Sequence, residues 1–237
     1  MRKLILFLIV AVFPFYVFAK EYEDQDIKIK LSLDDNYIVL TRNNLDNNND
    51  LQKLGITKEQ MQDIMNKGAI YLDIIKEDIS YEILVVVPDI VLPVNNLTGI
   101  SEELLASFKE EAAKKVGANI SSTYKNNYDF IIVDYYDANM KYYIVNYYTV
   151  INSRGYNFQI QKKTEITEND RNELKKIVDS VEFLDFDKNN DEKKVDANAY
   201  KNNFDYKNII YGAIIGAIAG LISYCTSIVL KKKKKAK

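Results

Sequence analysis

The sequence predicts an α+β domain, an antiparallel β-sheet with packed helices, between an N-terminal signal peptide and one C-terminal transmembrane helix. Three observations lead to this prediction. Apolar and polar residues alternate over many short segments, as they do in strands. Helical spacing behind a capping residue occurs in only three segments, too few and too bunched for the crossovers of a parallel sheet. An apolar segment stands near each end of the chain.

Residues 1–19 have the pattern of a secretory signal peptide. Arg2 and Lys3 precede an apolar run over 4–18, and Ala19 provides the small residue of a cleavage site. An uncleaved anchor is the alternative, because bulky residues stand near that site. Fifteen apolar residues are short for a membrane span, which favours the cleaved form. With either alternative, residues 20–208 lie on the extracytoplasmic side.

The first exterior elements are a predicted β-hairpin and a helix. Alternation over 27–33, a polar turn at 34–36 and a second strand over 37–42 predict the hairpin. The asparagine-rich run at 46–50 is expected to be a loop. Thr57 and Gln60 have capping-box spacing, so a helix is predicted to begin there and to end near Gly68.

The rest of the exterior segment is predicted to form six strands and two helices. Strands over 70–75 and 81–87 precede a helix that Ser101 caps and Gly117 ends. Thr167 caps the final helix, whose apolar stripe ends at Val181. Between these helices a meander is expected, with strands over 120–124, 128–136, 140–151 and 156–162. The predicted domain therefore occupies residues 20–184.

Five segments of this domain carry a resemblance to a known family: YIVLTR at 37–42, GITKE at 55–59, IYLD at 70–73, YEI at 81–83 and IVDSVEF at 177–183. In these segments the chain resembles bacterial membrane-anchored surface proteins with a PsbP-like domain. The resemblance implies an α+β, sandwich-like domain that serves noncatalytic binding or assembly. It brings no shared catalytic residues.

The charge of the exterior segment favours some partners over others. The chain has 32 basic and 34 acidic residues; without Arg2, Lys3 and the six lysines of the C-terminal tail, 24 basic residues remain, a net charge of about −10. A field of this sign disfavours nucleic acid and anionic lipid outside the cell. It favours cations and basic protein surfaces.

The composition also argues against most catalytic sites. Histidine is absent, and Cys225, which is the single cysteine, belongs to the predicted membrane span. His-dependent triads, His-Cys pairs and ordinary zinc sites therefore have no ligands or bases. We expect a noncatalytic domain without cofactor; a hydrolase with a carboxylate pair is the enzymatic alternative, and a sensor subunit with a separate cytoplasmic partner is the third.

The segment after the domain is predicted to be a polar linker at 185–208. Residues 185–196 partly match the ligand spacing of a calcium loop. Asn190 replaces the turn glycine, Glu192 replaces an apolar residue, and Asp196 replaces the bidentate glutamate. These three departures favour a solvated linker over a metal site.

A transmembrane helix is predicted over residues 209–230, which carry no charged residue and are long enough to cross a bilayer. Gly212, Gly216 and Gly220 stand one turn apart within it, a spacing that allows close helix pairing and hence a homodimer. The tail at 231–237 is expected to be cytoplasmic and to bind the anionic inner leaflet. Its basic residues are Lys231, Lys232, Lys233, Lys234, Lys235 and Lys237.

Six tyrosines in the predicted meander are candidates for an exposed aromatic binding surface: Tyr135, Tyr136, Tyr142, Tyr143, Tyr147 and Tyr148. Apolar residues such as Ile144, Val145 and Val150 also occupy both faces of this segment, so a central strand buried on both sides is the favoured interpretation. Taken together, the sequence predicts a single-pass protein of the cell membrane. We expect its extracytoplasmic domain to bind or scaffold a protein partner.

Overall fold

The structure is a computed structural model that describes residues 20–46, 48–92, 95–97, 106, 110, 119–125, 127–138 and 141–186. The predicted signal peptide, the linker beyond Phe186, the membrane span and the tail lie outside the described residues. The predicted helix at 101–117 also lies outside them, except for Ala106 and Glu110, which are helical. Within the described part of the chain, no helix combines the length and the apolar character that crossing a membrane requires.

Ten strands in the described part form two antiparallel sheets. The strands are β1 (Lys20–Asp24), β2 (Ile29–Leu33), β3 (Tyr37–Thr41), β4 (Ile70–Lys76), β5 (Glu82–Val86), β6 (Asn119–Lys125), β7 (Asp129–Asp137), β8 (Tyr142–Ile151), β9 (Arg154–Lys162) and β10 (Glu182–Phe183). The small sheet has the order β1-β2-β10, and the large sheet has the order β3-β4-β5-β9-β8-β7-β6. The predicted antiparallel α+β architecture is therefore confirmed.

The described helices begin at side-chain caps that the sequence encodes locally. They are α1 (Asn49–Leu54), α2 (Lys58–Lys67) and α3 (Glu168–Asp179). Asn48, Thr57 and Thr167 each accept a hydrogen bond from a backbone N–H of the first turn, and both threonines form a complete capping box. These bonds satisfy donors that a helix start otherwise leaves unpaired. The predicted starts of α2 and α3 are confirmed.

The large sheet is the middle layer, because both of its faces carry buried apolar residues. Leu84 and Val86 of β5 pack in the cluster that includes α1 and α2. Ile83 and Val85, their neighbours in β5, face the opposite cluster, which includes the small sheet and α3. Since successive side chains of a strand point to opposite faces, β5 is covered on both sides.

The predicted hairpin of residues 27–42 is wrong. Its two strands form as β2 and β3, but β2 pairs with β1 and β10, whereas β3 pairs with β4. At residues 34–36 the chain passes from the small sheet to the large one. The burial patterns give the physical reason: β2 buries every second residue, whereas Ile38, Val39 and Leu40 of β3 are all buried and need a sheet that is covered on both faces.

Three short elements were not predicted. Strand β1 directly follows the predicted cleavage site, and β10 is only two residues long. The asparagine-rich run was expected to be a loop, but Asn48 caps α1 within it. The meander β6 to β9 is confirmed, and its last strand pairs with β5, which joins the two halves of the chain.

An aromatic cluster holds the C-terminal strand β10 against the large sheet. The Phe183 ring lies 4.7 Å from the Tyr128 ring and 4.8 Å from the Tyr156 ring, both edge-on. The Phe183 N–H donates to the Tyr128 hydroxyl at 3.2 Å. Phe186 packs on the other side of Tyr128, with ring centroids 5.0 Å apart. The described contacts of the domain therefore extend through Phe186.

The β8–β9 turn brings a glycine against a large buried ring. Asn152 and Ser153 both have left-handed φ angles, 50° and 61°, as a two-residue type I′ turn requires. Two residues later, a Cβ atom at Gly155 would lie 3.1 Å from Cε2 and from the hydroxyl of Tyr148. Tyr148 is fully buried, so its ring can shift only if its packed neighbours shift too.

We expect Gly155→Ala to destabilise the domain by about 1–3 kcal/mol, because the added methyl group overpacks the site that Tyr148 fills. Urea unfolding of the full-length chain in detergent measures this loss. Gly68→Ala is the matched control, since its φ of −85° is open to any residue. Equal stability of the Gly155 variant and the natural protein would contradict the tight contact.

Candidate functional site

A cavity of about 190 Å³ lies between the two sheets at the side where β1 and β3 are the outer strands. The small sheet contributes Tyr22, Glu23, Asp24, Ile29 and Leu31 to its lining. The large sheet and the loop after β3 contribute Thr41, Asn43, Asn44 and Leu72. The cavity thus has both apolar and polar residues in its lining.

Strand pairing explains why Tyr22 and Asp24 face the cavity. In the register of β1 with β2, Tyr22 lies opposite Leu31 and Asp24 lies opposite Ile29. Ile29 and Leu31 belong to the core between the sheets, and cross-strand partners share a face. Glu23 belongs to the other face of β1 and borders the opening of the cavity.

The cavity carries negative charge. Asp24 is buried, and its Oδ1 accepts hydrogen bonds from the backbone N–H groups of Asp26 at 2.9 Å and Ile27 at 3.1 Å. These bonds fix the carboxylate at the end of β1. Among the described lining residues, Glu23 and Asp24 are acidic and none is basic. The local potential therefore favours a cationic group.

The outer edges of the two sheets differ beside this cavity. On β3, the Asn44 amide occupies the edge: its Nδ2 donates to the Val39 carbonyl at 2.9 Å, and its Oδ1 accepts from the Thr41 N–H at 2.7 Å. The side chain replaces a neighbouring strand at these two groups. On β1, no strand of the described residues pairs with the edge that faces away from β2. The open edge at the cavity is therefore that of β1.

A second polar feature is buried on the face of the large sheet that α1 and α2 also cover. Six side chains there are at most 7% exposed: Asp73, Glu82, Asn146, Asn157, Gln159 and Gln161. Hydrogen bonds connect neighbouring members of this row. Gln159 Nε2 donates to Gln161 Oε1 at 3.3 Å, and Gln161 Nε2 donates to a Glu82 oxygen. Asn146 Nδ2 donates to Asn157 Oδ1 at 2.8 Å.

Two carboxyl groups of this row are held in contact. Burial raises the pKa of Asp73 well above its usual range, and the neighbouring Glu82 carboxyl raises it further. Burial also raises the pKa of Glu82, although its hydrogen bonds from Gln161 and Asp73 act in the opposite direction. The raised pKa makes Asp73 the carboxyl group of the pair that more readily holds a proton, which it donates to Glu82.

The Asp73 proton links folding to pH. Because its pKa is higher in the folded than in the unfolded chain, this stabilisation is complete below the usual aspartate pKa and is lost as the pH rises through the folded value. We expect the unfolding free energy to fall by about 1.4 kcal/mol per pH unit across that window. Asp73→Asn has no such proton to lose, and its amide still donates to Glu82, so its stability should vary less with pH.

Urea unfolding between pH 5 and pH 9 measures this difference. Asp35→Asn is the control, because Asp35 is an exposed turn residue, and its profile should run parallel to that of the natural protein. A profile of Asp73→Asn that also runs parallel to the natural one would show that Asp73 does not hold an extra proton in the fold.

The structure places the predicted aromatic surface mostly inside the protein. Tyr135, Tyr142, Tyr147 and Tyr148 are buried, in agreement with the interpretation of central strands covered on both faces. Tyr136 is 45% exposed and packs on the half-buried Tyr143, with ring centroids 4.7 Å apart. The aromatic surface is therefore reduced to this pair.

The other sequence-predicted site residues are outside the described part. This applies to Gly212, Gly216 and Gly220 and to the six lysines of the tail. Of the partial calcium loop, only Asp185 and Phe186 are described. Within the described ranges, no three acidic or thiol side chains come together where they could hold a metal ion.

Sequence reasoning missed both polar features. Asn157, Gln159 and Gln161 alternate with apolar residues, a pattern that is typical of a strand with one solvated face, but that face is buried. An acidic residue among apolar ones, such as Asp73, was the available signal for the carboxyl pair. The cavity had no local signal, because it requires the pairing of β1 with β2 and their position beside β3.

Comparisons with known proteins show similarity at the level of structure and not of sequence. The sequence matches no protein-family model, and a comparison with curated proteins finds no match. Among solved structures, the chain is similar to the solution structure of cyanobacterial PsbP (CyanoP) from Synechocystis sp. PCC 6803. The two are 8% identical with a TM-score of 0.42, and the match covers 70% of this chain and 92% of that protein.

Proposed function

We propose that this chain is a single-pass membrane protein whose extracytoplasmic α+β domain binds a protein partner without catalysing a reaction. The observation that carries the proposal is the acidic cavity beside the open edge of β1. A binding domain needs a concave surface with a few placed polar groups, and this cavity offers both. Glu23 and Asp24 supply the charge, and Tyr22 supplies an aromatic ring.

Two boundaries of the folded domain support the proposed tether. Strand β1 begins at Lys20, the first residue after the predicted signal peptide. At the other end, Phe186 is followed by 22 residues before the predicted span, a linker that reaches about 70 Å when fully extended. This length would let the domain stand clear of the bilayer while its cavity remains accessible.

The proposal also includes a family, a homodimer and a role for the C-terminal tail. The PsbP-like family is proposed on the five segments named in the sequence. Pairing of two spans through Gly212, Gly216 and Gly220 would give a homodimer, since small residues one turn apart let helices approach closely. The lysines of the tail would hold the span at the anionic inner leaflet.

A surface hydrolase is the second candidate, and one observation bears on it. Asp73 and Glu82 form a contacting carboxyl pair with raised pKa values, as an acid–base site would need. However, the two side chains are only 2% and 7% exposed, and neither lines the cavity. A substrate would have no route to them in this conformation, so we favour binding.

We expect protease added outside cell-wall-stripped cells to remove the domain and to leave a small membrane-bound stub that ends in the lysines. An epitope tag after Lys237 detects the stub on immunoblots. A cytoplasmic protein that stays intact serves as the control for cell integrity. Protection of the domain in intact cells, with cleavage only after detergent, would overturn the proposed topology.

Binding at the cavity is tested by a photo-crosslinking residue at Asn43, which is exposed and lines the cavity. In intact cells we expect one discrete crosslinked product from this position. The matched control is the same residue at Asp35, which is exposed at the opposite end of β3. Equal products from both positions, or none from Asn43, would argue against a partner at the cavity.

A further inference from the structure

We infer that the open edge of β1 and the adjoining cavity form a binding site for an extended peptide segment that contains lysine or arginine. The segment would add to the small sheet as a fourth strand and place a cationic side chain in the cavity. This inference rests on the proposed binding function and names the chemical class of the partner.

The outer edges of β1 and β3 differ in whether a group of the protein already pairs with their backbone. A strand at the edge of a sheet presents a row of unpaired N–H and C=O groups, which a peptide can pair with. On β3, the Asn44 side chain occupies this position at Val39 and Thr41. On β1 no described strand does so, and Lys20, Glu21 and Glu23 are exposed. Among the described strands that border the cavity, β1 is therefore the one to which a strand could be added.

Pairing with β1 would fix the direction in which the side chains of an added strand point. Cross-strand partners share a face, so the residues of an added strand opposite Tyr22 and Asp24 would point between the sheets, as these two do. The cavity of about 190 Å³ lies at that position. Pockets for drug-sized ligands have volumes of at least about 300 Å³, so this cavity is smaller than such a pocket. Its volume suits one long side chain.

The charge of the site favours a cationic side chain of the peptide. Asp24 lies on the cavity side of β1 and no described lining residue is basic, so an incoming cation meets the Asp24 carboxylate, while Glu23 on the other face adds to the negative potential. Tyr22 adds an aromatic face, and the Lys20 ammonium already lies 5.2 Å from the centre of this ring. An acidic or neutral side chain would gain neither interaction, which makes a lysine or arginine the preferred occupant.

Binding of synthetic peptides to the full-length chain in detergent micelles tests this inference. The probe is a fluorescent heptapeptide that alternates valine and lysine, and its anisotropy reports the dissociation constant. We expect binding of this peptide and none of the same peptide with glutamate in place of lysine. N-methylation of alternate backbone nitrogens should weaken binding by at least about tenfold, because it removes the donors that pair with β1.

Variants of the protein locate the peptide. We expect Glu23→Gln combined with Asp24→Asn to weaken binding of the lysine peptide by at least about tenfold. Asn at position 24 keeps the oxygen that accepts from Asp26 and Ile27, so the fold should be retained, and an unchanged melting temperature verifies this. Glu21→Gln is the control: it removes one of β1's negative charges, where the double variant removes two, at a residue that does not line the cavity, and it should change binding less than threefold.

The outcomes separate this inference from the proposed function. Failure of the lysine peptide to bind, equal binding of the glutamate peptide, or equal effects of the Glu21 and the Glu23–Asp24 variants would each overturn the inference. The protease and crosslinking experiments test the proposed function, and their results do not depend on the peptide. An Asn43 crosslink in cells together with no peptide binding would mean that the cavity has a partner of another chemistry.

Discussion

Both faces of the large sheet carry apolar residues, and the rest of the fold follows from the need to cover each of them. All five residues of β5 are buried, so no side of this central strand can face water. Helices α1 and α2 cover one face, and the small sheet with α3 covers the other. The short elements at the N-terminus and C-terminus, β1 and β10, are part of that second layer because they flank β2. Without this layer, Ile83, Val85 and Phe158 would be exposed.

Covering a sheet that also carries amides and carboxyls has an energetic cost that hydrogen bonds must offset. The hydrogen bonds from Asn146 to Asn157, from Gln159 to Gln161 and from Gln161 to Glu82 offset part of this cost within the sheet face. Burial raises the pKa of Asp73, so ionising its carboxyl group costs free energy as the pH rises. The row fixes the relative register of β4, β5, β9 and β8, because a shift by one residue would move these groups to the opposite, apolar face.

The features that the sequence predicts well are local ones. Thr57 and Thr167 mark helix starts because a cap acts on the next three residues, and the meander is recognisable because each of its strands follows a turn. The pairing of β5 with β9 joins residues about 75 positions apart, and nothing near either strand specifies it. The separation of β2 from β3 was missed for the same reason, since a short polar turn between two strands usually makes a hairpin. The cavity depends on the pairing of β1 with β2 and on their position beside β3, so it could not be predicted from the sequence.

The aromatic cluster around Phe183 has a mechanical consequence. A pulling force applied through the chain beyond Phe186 reaches the domain at β10, which pairs with β2 over only two residues. Those few hydrogen bonds would break one after another under load. The rings of Tyr128, directly before β7, and Tyr156, in β9, contact Phe183, so the load passes into the seven-stranded layer and is shared by its many backbone hydrogen bonds. Two aromatic contacts thus connect the two-residue strand β10 to the seven-stranded sheet, and force on the C-terminal side of the domain is carried by that sheet.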